Sequence, residues 1–411
     1  MNTEKLNFTV PPKAKMFSFV LMAVGLLSII LMFLFDKADE AEHYHAGTRA
    51  WSNLFAGSFF FMALSLAAAF FLGLQYAAEA GWSTTVKRVI EAVTMYLPYG
   101  LSFMMLLFLV GQFHGHHIYH WMAEGIATPG SANYDPIIAN KIGYFGWFWW
   151  LRTILYMVGW IWFTMKLRKN SLDADKLDVD INNSYHWKNI KLGAWFMVLF
   201  AVTSSTSSWD WLMSIDTHWF STLFGWYIFS GMWISALVAI TVLVIWLKKM
   251  DYLEFVTEST IHDLGKWMFA ISFLWTYLYF SQFMLIWYAD IPEEVIYFQT
   301  RWENFKGLMW TVFFVNFAFP MIMLMSRDSK RNFFFLMFVG TIIFIGHYMD
   351  VIMIVMPGTV GHHWHGLSWM EFGNFFFFLG LFIFVVLNAL AKAPLLVKNH
   401  PFLSESLHHS T

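Results

Sequence analysis

The sequence predicts an all-α polytopic membrane protein of about ten transmembrane helices, and three observations carry that reading. Of 411 residues, 58% are hydrophobic and only 13% charged, with a mean hydropathy of +0.54. A soluble domain of this length carries about 25% charge. Apolar windows of bilayer length recur along the whole chain, and lysine and arginine fall between them with a strong alternation of sides.

The windows lie near residues 16–35, 53–76, 89–111, 143–165, 192–213, 220–247, 265–288, 308–326, 333–356 and 370–391. Each is long enough to cross a ~30 Å hydrocarbon core as a helix. With alternating directions, segments 1–15, 77–88, 166–191, 248–266, 327–332 and 392–411 share one side and hold 19 of the 25 Lys+Arg, against 5 on the other. Cytoplasmic loops retain cations, so this bias predicts a multi-pass membrane protein with both termini inside. Residues 1–15 are polar, contain proline and lack a small-residue cleavage pattern after the first apolar run, so they read as a retained inner tail. Residues 392–411 read as the inner carboxyl tail.

The longest loops, Gln112 to Ile142 and Lys166 to Lys191, are too short for a soluble domain, and residues 1–411 read as a single integral membrane domain. Gly111-Gln112-Phe113 ends the third window, and Ser281-Gln282-Phe283 sits near the end of the seventh. This four-helix echo suggests bundles at about 53–213 and 220–356. The 46 Phe, 23 Trp and 16 Tyr fit many spans and interfaces, since Trp and Tyr favour the membrane boundary. The absence of cysteine excludes disulfides, iron–sulfur clusters and covalently attached c-type haem on this chain. A net charge of -2 gives no signal for nucleic acid.

Three groups of residues could carry chemistry. Histidines crowd the expected outer face: His43, His45, His114, His116, His117, His120, His218, His362, His363 and His365. Imidazoles at such spacing can bind copper, zinc or iron, but carboxylate partners are scarce nearby, and docking of an outer partner accounts for them as well. The second group is ionisable and lies within or at the ends of spans: Glu91, Arg152, Asp210, Asp216, His347, Asp350 and Glu371. Charge in lipid costs roughly 2.5–3.5 kcal/mol on insertion scales, so such groups face the bundle interior. Arg152 reads as near mid-membrane and in need of a carboxylate partner, and Glu91 as a solvated group at an inner helix end. His347 and Asp350, three apart on one face, suit proton relay, a quinone head group or a packing clip. The third group is the hydroxyl run from Thr203 to Ser208, followed by Trp209-Asp210-Trp211 and Asp216. It is too polar for lipid, and serves either close helix approach or a water chain. Only His347 lies well inside a span, which disfavours a di-haem cytochrome b.

The segment Ser208-Trp209-Asp210-Trp211-Leu212-Met213-Ser214-Ile215-Asp216-Thr217-His218-Trp219, with Gly111-Gln112-Phe113-His114 and the Gly361-His362-His363-Trp364-His365 loop, resembles the NrfD-like (polysulfide-reductase-type) membrane subunits of alternative complex III, most closely the second of the two. The resemblance implies two four-helix bundles plus flanking helices in the bacterial inner (cytoplasmic) membrane. It also implies a respiratory quinol:electron-acceptor oxidoreductase in which partner subunits hold haem c and iron–sulfur clusters on the outer side. The implied partners are a second NrfD-like subunit, multi-haem and mono-haem cytochrome c subunits, an iron–sulfur subunit and a terminal oxidase. In that family the first NrfD-like subunit is the one expected to bind menaquinol or another quinol, through His, Asp and Arg near the outer surface.

Here the outer segments contain few cations and offer no match for that arginine. The chain therefore reads as a non-catalytic anchoring subunit, binding no cofactor of its own, with a proton path through Glu91, Arg152, Asp210, Asp216, His347 and Asp350. The residues placed to meet a quinone head group are His114, Asp216 and His365. A His-cluster metal-dependent membrane oxidase and a secondary transporter are the alternative readings; the second normally shows broken helices, and Pro98 and Pro320 are the main breakers within spans.

Overall fold

Ten long helices make up most of the described residues. The structure, a computed structural model, describes residues 6–38, 44–180 and 182–410. The helices are α1 (Pro12–Phe35), α2 (Thr48–Ala77), α3 (Trp82–Gln112), α4 (Trp147–Asp175), α5 (Ser184–Trp211), α6 (Phe224–Lys249), α7 (Glu258–Ala289), α8 (Pro292–Met323), α9 (Phe333–Thr359) and α10 (Trp369–Leu390). Among the described residues nine are long and apolar enough to cross a membrane. The tenth, α4, draws its apolar character from tryptophan (Trp147, Trp149, Trp150, Trp160, Trp162) and ends in a charged turn, which lowers its mean hydropathy. The chain is thus an all-α, multi-pass membrane protein. Residues Asn7 and Pro394 form a backbone bridge, so both terminal segments meet on one face, called here the terminal face; the other is the loop face.

Helix boundaries follow local chemistry. Thr257 caps α7, Asn332 caps α9, and Ser368 with Glu371 forms a full capping box on α10. Several boundaries differ from the sequence expectation, and of the expected long loop Lys166 to Lys191 only residues 176–183 lie outside α4 and α5. The polar stretch 289–307 is helix and not loop: Pro292 occupies the first turn of α8, with Glu293 and Glu294 at the positive end of the helix dipole. Along its length α8 is irregular, with a non-helical Phe305, a π turn over Phe314–Ala318, and Pro320. The third span also starts earlier than expected, in a 3-10 turn over Trp82–Val86, and is interrupted before Leu97, where Pro98 opens its second half.

Packing forms two four-helix groups, α2 to α5 and α6 to α9, joined where α2 meets α6 and α9 and where α5 meets α6; α1 and α10 pack together on the flank. Helix α2 is the hub, with 94% of its apolar window buried. Its alanines, glycines and serines (Ala56, Gly57, Ser58, Ala63, Ser65, Ala67, Ala68, Ala69, Gly73) let several helices close in around it. A Cβ on Gly193 of α5 would stand 2.8 Å from the Gly73 carbonyl oxygen, so that crossing needs glycine. The α1–α10 seam is equally close, since a Cβ on Gly25 would lie 2.5 Å from Phe377 Cα. An ionic clip ties α10 to the hub: Arg49 of α2 donates to Glu371 at 2.8 and 3.0 Å, and Glu371 is fully buried.

Gly25→Leu should therefore part α1 from α10 and lower stability by about 1–3 kcal/mol, with Gly25→Ala intermediate. Unfolding of the detergent-purified protein checks this, and an unchanged transition for Gly25→Leu would contradict the seam.

Candidate functional site

In the first bundle the aspartate of α5 is closed into an ion pair. Arg152 sits in the second turn of α4, near the loop face and not at mid-membrane, because α4 begins only at Trp147. Its guanidinium is bidentate on Asp210 of α5, with Nε to Oδ2 at 2.9 Å and Nη2 to Oδ1 at 2.7 Å. Tyr156 donates to Asp210 Oδ2 at 3.0 Å, and the guanidinium lies 3.9 Å from the Tyr144 ring centroid. Asp210 has no exposure. Below the pair the hydroxyl run turns inward on its own helix: Thr203, Ser207 and Ser208 donate to the carbonyls of Leu199, Ser204 and Ser204. Trp160 Nε1 caps Thr203 at 2.9 Å. Ser205 gives α6 its close approach, with a Cβ on Gly225 standing 2.9 Å from Ser205 Cα.

The second bundle leaves its acid open. Asp350 of α9 is 5% exposed and accepts from the Tyr227 hydroxyl of α6 and from Trp275 Nε1 of α7, the latter at 3.1 Å; among the described residues no lysine or arginine forms an ion pair with it. His347, one turn away, is 2% exposed, stands edge-on to Trp275 at 5.3 Å, and has no protein partner on either ring nitrogen. Cavities flank Asp350 on both sides. One is bordered by Tyr227, Tyr279, Gln282, Tyr297 and Arg301, the other by Phe60, Gly231, His347 and Val351. Each has room for about one or two waters. Of the two glutamines in the four-helix echo, Gln282 borders this cavity and Gln112 accepts from Trp150 Nε1 at 2.9 Å.

Arg301 was hidden from the sequence reading because it falls in the polar first half of α8. It is 4% exposed and donates to Asp216 at 3.2 Å and to the carbonyls of Tyr297, Met353 and Ile354. It packs 3.3 Å over the Tyr297 ring, which stacks on Trp219. The loop face thus does hold a buried arginine. The signal for it was the Pro292-Glu293-Glu294 helix start; Tyr227, Trp275 and Tyr297 gave no signal among so many aromatics.

The expected path residues are not brought into one chain. Glu91 lies on the terminal face, and it is not solvated: it is 1% exposed and pairs with Arg88 at 2.5 Å. Arg152 and Asp210 form one cluster, Asp216 joins Arg301, and His347 and Asp350 border one cavity. His114 and His365 are exposed, and no hydrogen bond, ion pair or ring contact joins them to each other or to Asp216. Of the other loop-face histidines, His43 lies outside the described residues. His116 is buried against the Leu107 carbonyl at 2.8 Å, His117 stacks on His45 at 3.9 Å, and His218 meets Asp135 at 2.9 Å. Among the described residues no three His, Asp or Glu side chains gather in a metal-ligating group.

Fold and polar sites together define a multi-pass helical membrane protein with a closed ion pair in one bundle and a cation-free buried carboxyl in the other. No protein-family model matches the chain, and no curated protein matches it.

Two outcomes follow. Arg152→Met strands Asp210 without its cation and should cost about 3–5 kcal/mol, whereas Arg152→Met with Asp210→Asn should cost much less. A double-mutant cycle on unfolding in detergent reads the difference, and additive costs would contradict the pair. Asp135 caps the loop helix Pro136–Phe145. Partial burial pushes its pKa up, but the amides of Ile138 and Ile137 and the charges of His218 and His120 outweigh this and hold it low. A lowered carboxyl pKa gives stability at neutral pH that is lost as pH falls through it. Protection of the Ile137 and Ile138 amides against hydrogen exchange should vanish only below the usual carboxylate range; pH-independent protection would contradict the cap.

Proposed function

We propose that this chain is an integral membrane subunit of a respiratory quinol:electron-acceptor oxidoreductase of the alternative complex III type. In this reading it anchors haem c and iron–sulfur subunits at the loop face, and its second bundle carries protons through Asp350. The observation that supports this is the contrast between the bundles. Each places an arginine on its third helix (Arg152, Arg301) and an aspartate on its fourth (Asp210, Asp350). In the first the two neutralise each other. In the second Arg301 is turned to Asp216 and three carbonyls, and Asp350 stands between two water-sized cavities.

Chemically, a buried carboxyl without a cation exchanges a proton far more readily than one locked in an ion pair, since its charged form is costly and its neutral form is not. Tyr227 and Trp275 hold the carboxyl in place, water on the Arg301 side exchanges protons with the loop face, and His347 offers an acceptor on the other side. The flanking cavities fit water and not a quinone ring, so quinol oxidation belongs, in this reading, to the first NrfD-like subunit, the partner of this chain.

The broken helix α8 beside Asp350 favours a second reading, a proton-coupled secondary transporter. Membrane vesicles separate the two. Deleting this chain should abolish quinol-driven reduction of the acceptor, while Asp350→Asn should leave electron transfer intact and cut the accompanying proton movement by about 100-fold. Proton movement unchanged in Asp350→Asn would remove the aspartate from the path; quinol oxidation indifferent to the deletion would overturn the assignment and leave the transporter.

A further inference from the structure

On the terminal face, the 3-10 turn at the start of α3 carries Lys87 into the protein. Lys87 is 7% exposed and its ammonium lies 4.1 Å from the Tyr76 ring centroid. Among the described residues no hydrogen bond or ion pair reaches it. The nearby carboxylates pair with another cation: Arg88 meets Glu91 Oε2 at 2.5 Å, leaving Oε1 buried without a hydrogen-bond partner, and also pairs with Asp175, whose other oxygen accepts the Lys398 amide at 2.9 Å. Arg168 is held by carbonyls alone, those of Glu91 at 3.3 Å and Ala389 at 2.6 Å. Three buried cations, Lys87, Arg88 and Arg168, therefore face two largely buried carboxylates. Glu79 stands at the exposed rim, where water screens it. One positive charge is left over, and an uncompensated buried charge is costly.

Two adjoining cavities meet at this ammonium, both bordered by Tyr76, Lys87, His186 and His400, and each with room for about one water. His400 belongs to the carboxyl tail. Its Nδ1 accepts the Phe402 amide at 3.3 Å, so Nε2 carries the proton and is a donor. Burial and the Lys87 charge hold its pKa far below the ordinary imidazole range. His186, at 8% exposure, has no partner on Nδ1.

We propose that this pocket binds one small monovalent inorganic anion of chloride size between Lys87, His186 and His400. Three features select that ligand: the surplus is a single charge, the space is that of a single small particle, and the free groups are an ammonium and imidazole N–H donors. The start of α3 adds the positive end of its helix dipole. Because His400 is on the tail and Lys87 on α3, the anion fastens residues 397–402 across the first bundle.

The test uses the full-length protein in detergent at constant ionic strength, with gluconate exchanged for chloride. The line width of ³⁵Cl should rise saturably with protein and fall on adding bromide, and the unfolding temperature should rise with chloride over the same range. Lys87→Met should weaken binding by about tenfold or more, the worth of a charged donor. His400→Phe, in a tail held by other contacts, should weaken it too and guards against misfolding of the first variant. Absence of saturable broadening, equal broadening in both variants and the parent, or displacement by inorganic phosphate but not bromide would each overturn the proposal.

Discussion

Hydrocarbon offers no hydrogen-bond partner, and every polar side chain inside this protein has to find one on the chain or in trapped water. The bidentate contact of Arg152 with Asp210 answers that constraint for the carboxylate, to which Tyr156 also donates, while the Tyr144 ring lies against the guanidinium. Arg49 with Glu371 does the same between α2 and α10. These clips fix which helix faces inward, and the close crossings at Gly193 and Gly25 then set how near the helices come. Hydrophobic patterning alone could not do this in lipid, where the surroundings are as apolar as the helix faces.

The rule is relaxed in both bundles, at Asn53, Gln75 and His186 in the first and around Asp350 in the second. His347, Asn316 and Ser272 are buried polar groups with atoms that have no protein partner. Asn316 lies in the π turn of α8, packed against Gly346, one residue before His347. A π turn also loosens the regular ladder of its helix, and such turns recur where function needs backbone or side chains re-aimed. Irregular helix and buried polar atoms without a protein partner thus surround the cation-free Asp350, and water is the partner that reconciles them.

Much of this was legible in the sequence. The apolar windows and cation alternation gave the helices and the common side of both termini, because length and charge are properties of each segment by itself. Arg152 was correctly expected to need a carboxylate. What escaped was decided between segments. Glu91 looked like a solvated helix end, but it is buried and paired with Arg88. Arg301 looked like a loop cation, since residues 289–307 are too polar for a span; only the continuation of α8 into the apolar stretch places it inside. Tyr227 and Trp275 were unremarked in a chain with 16 Tyr and 23 Trp.

The account stands or falls on the company this chain keeps. Affinity purification of the tagged chain in mild detergent, with mass spectrometry of what accompanies it and a reduced-minus-oxidised optical spectrum, tests that most directly. The account predicts a second NrfD-like chain, iron–sulfur and multi-haem subunits, and a c-type haem signal in the spectrum. A chain purified alone, with no haem signal, would contradict it.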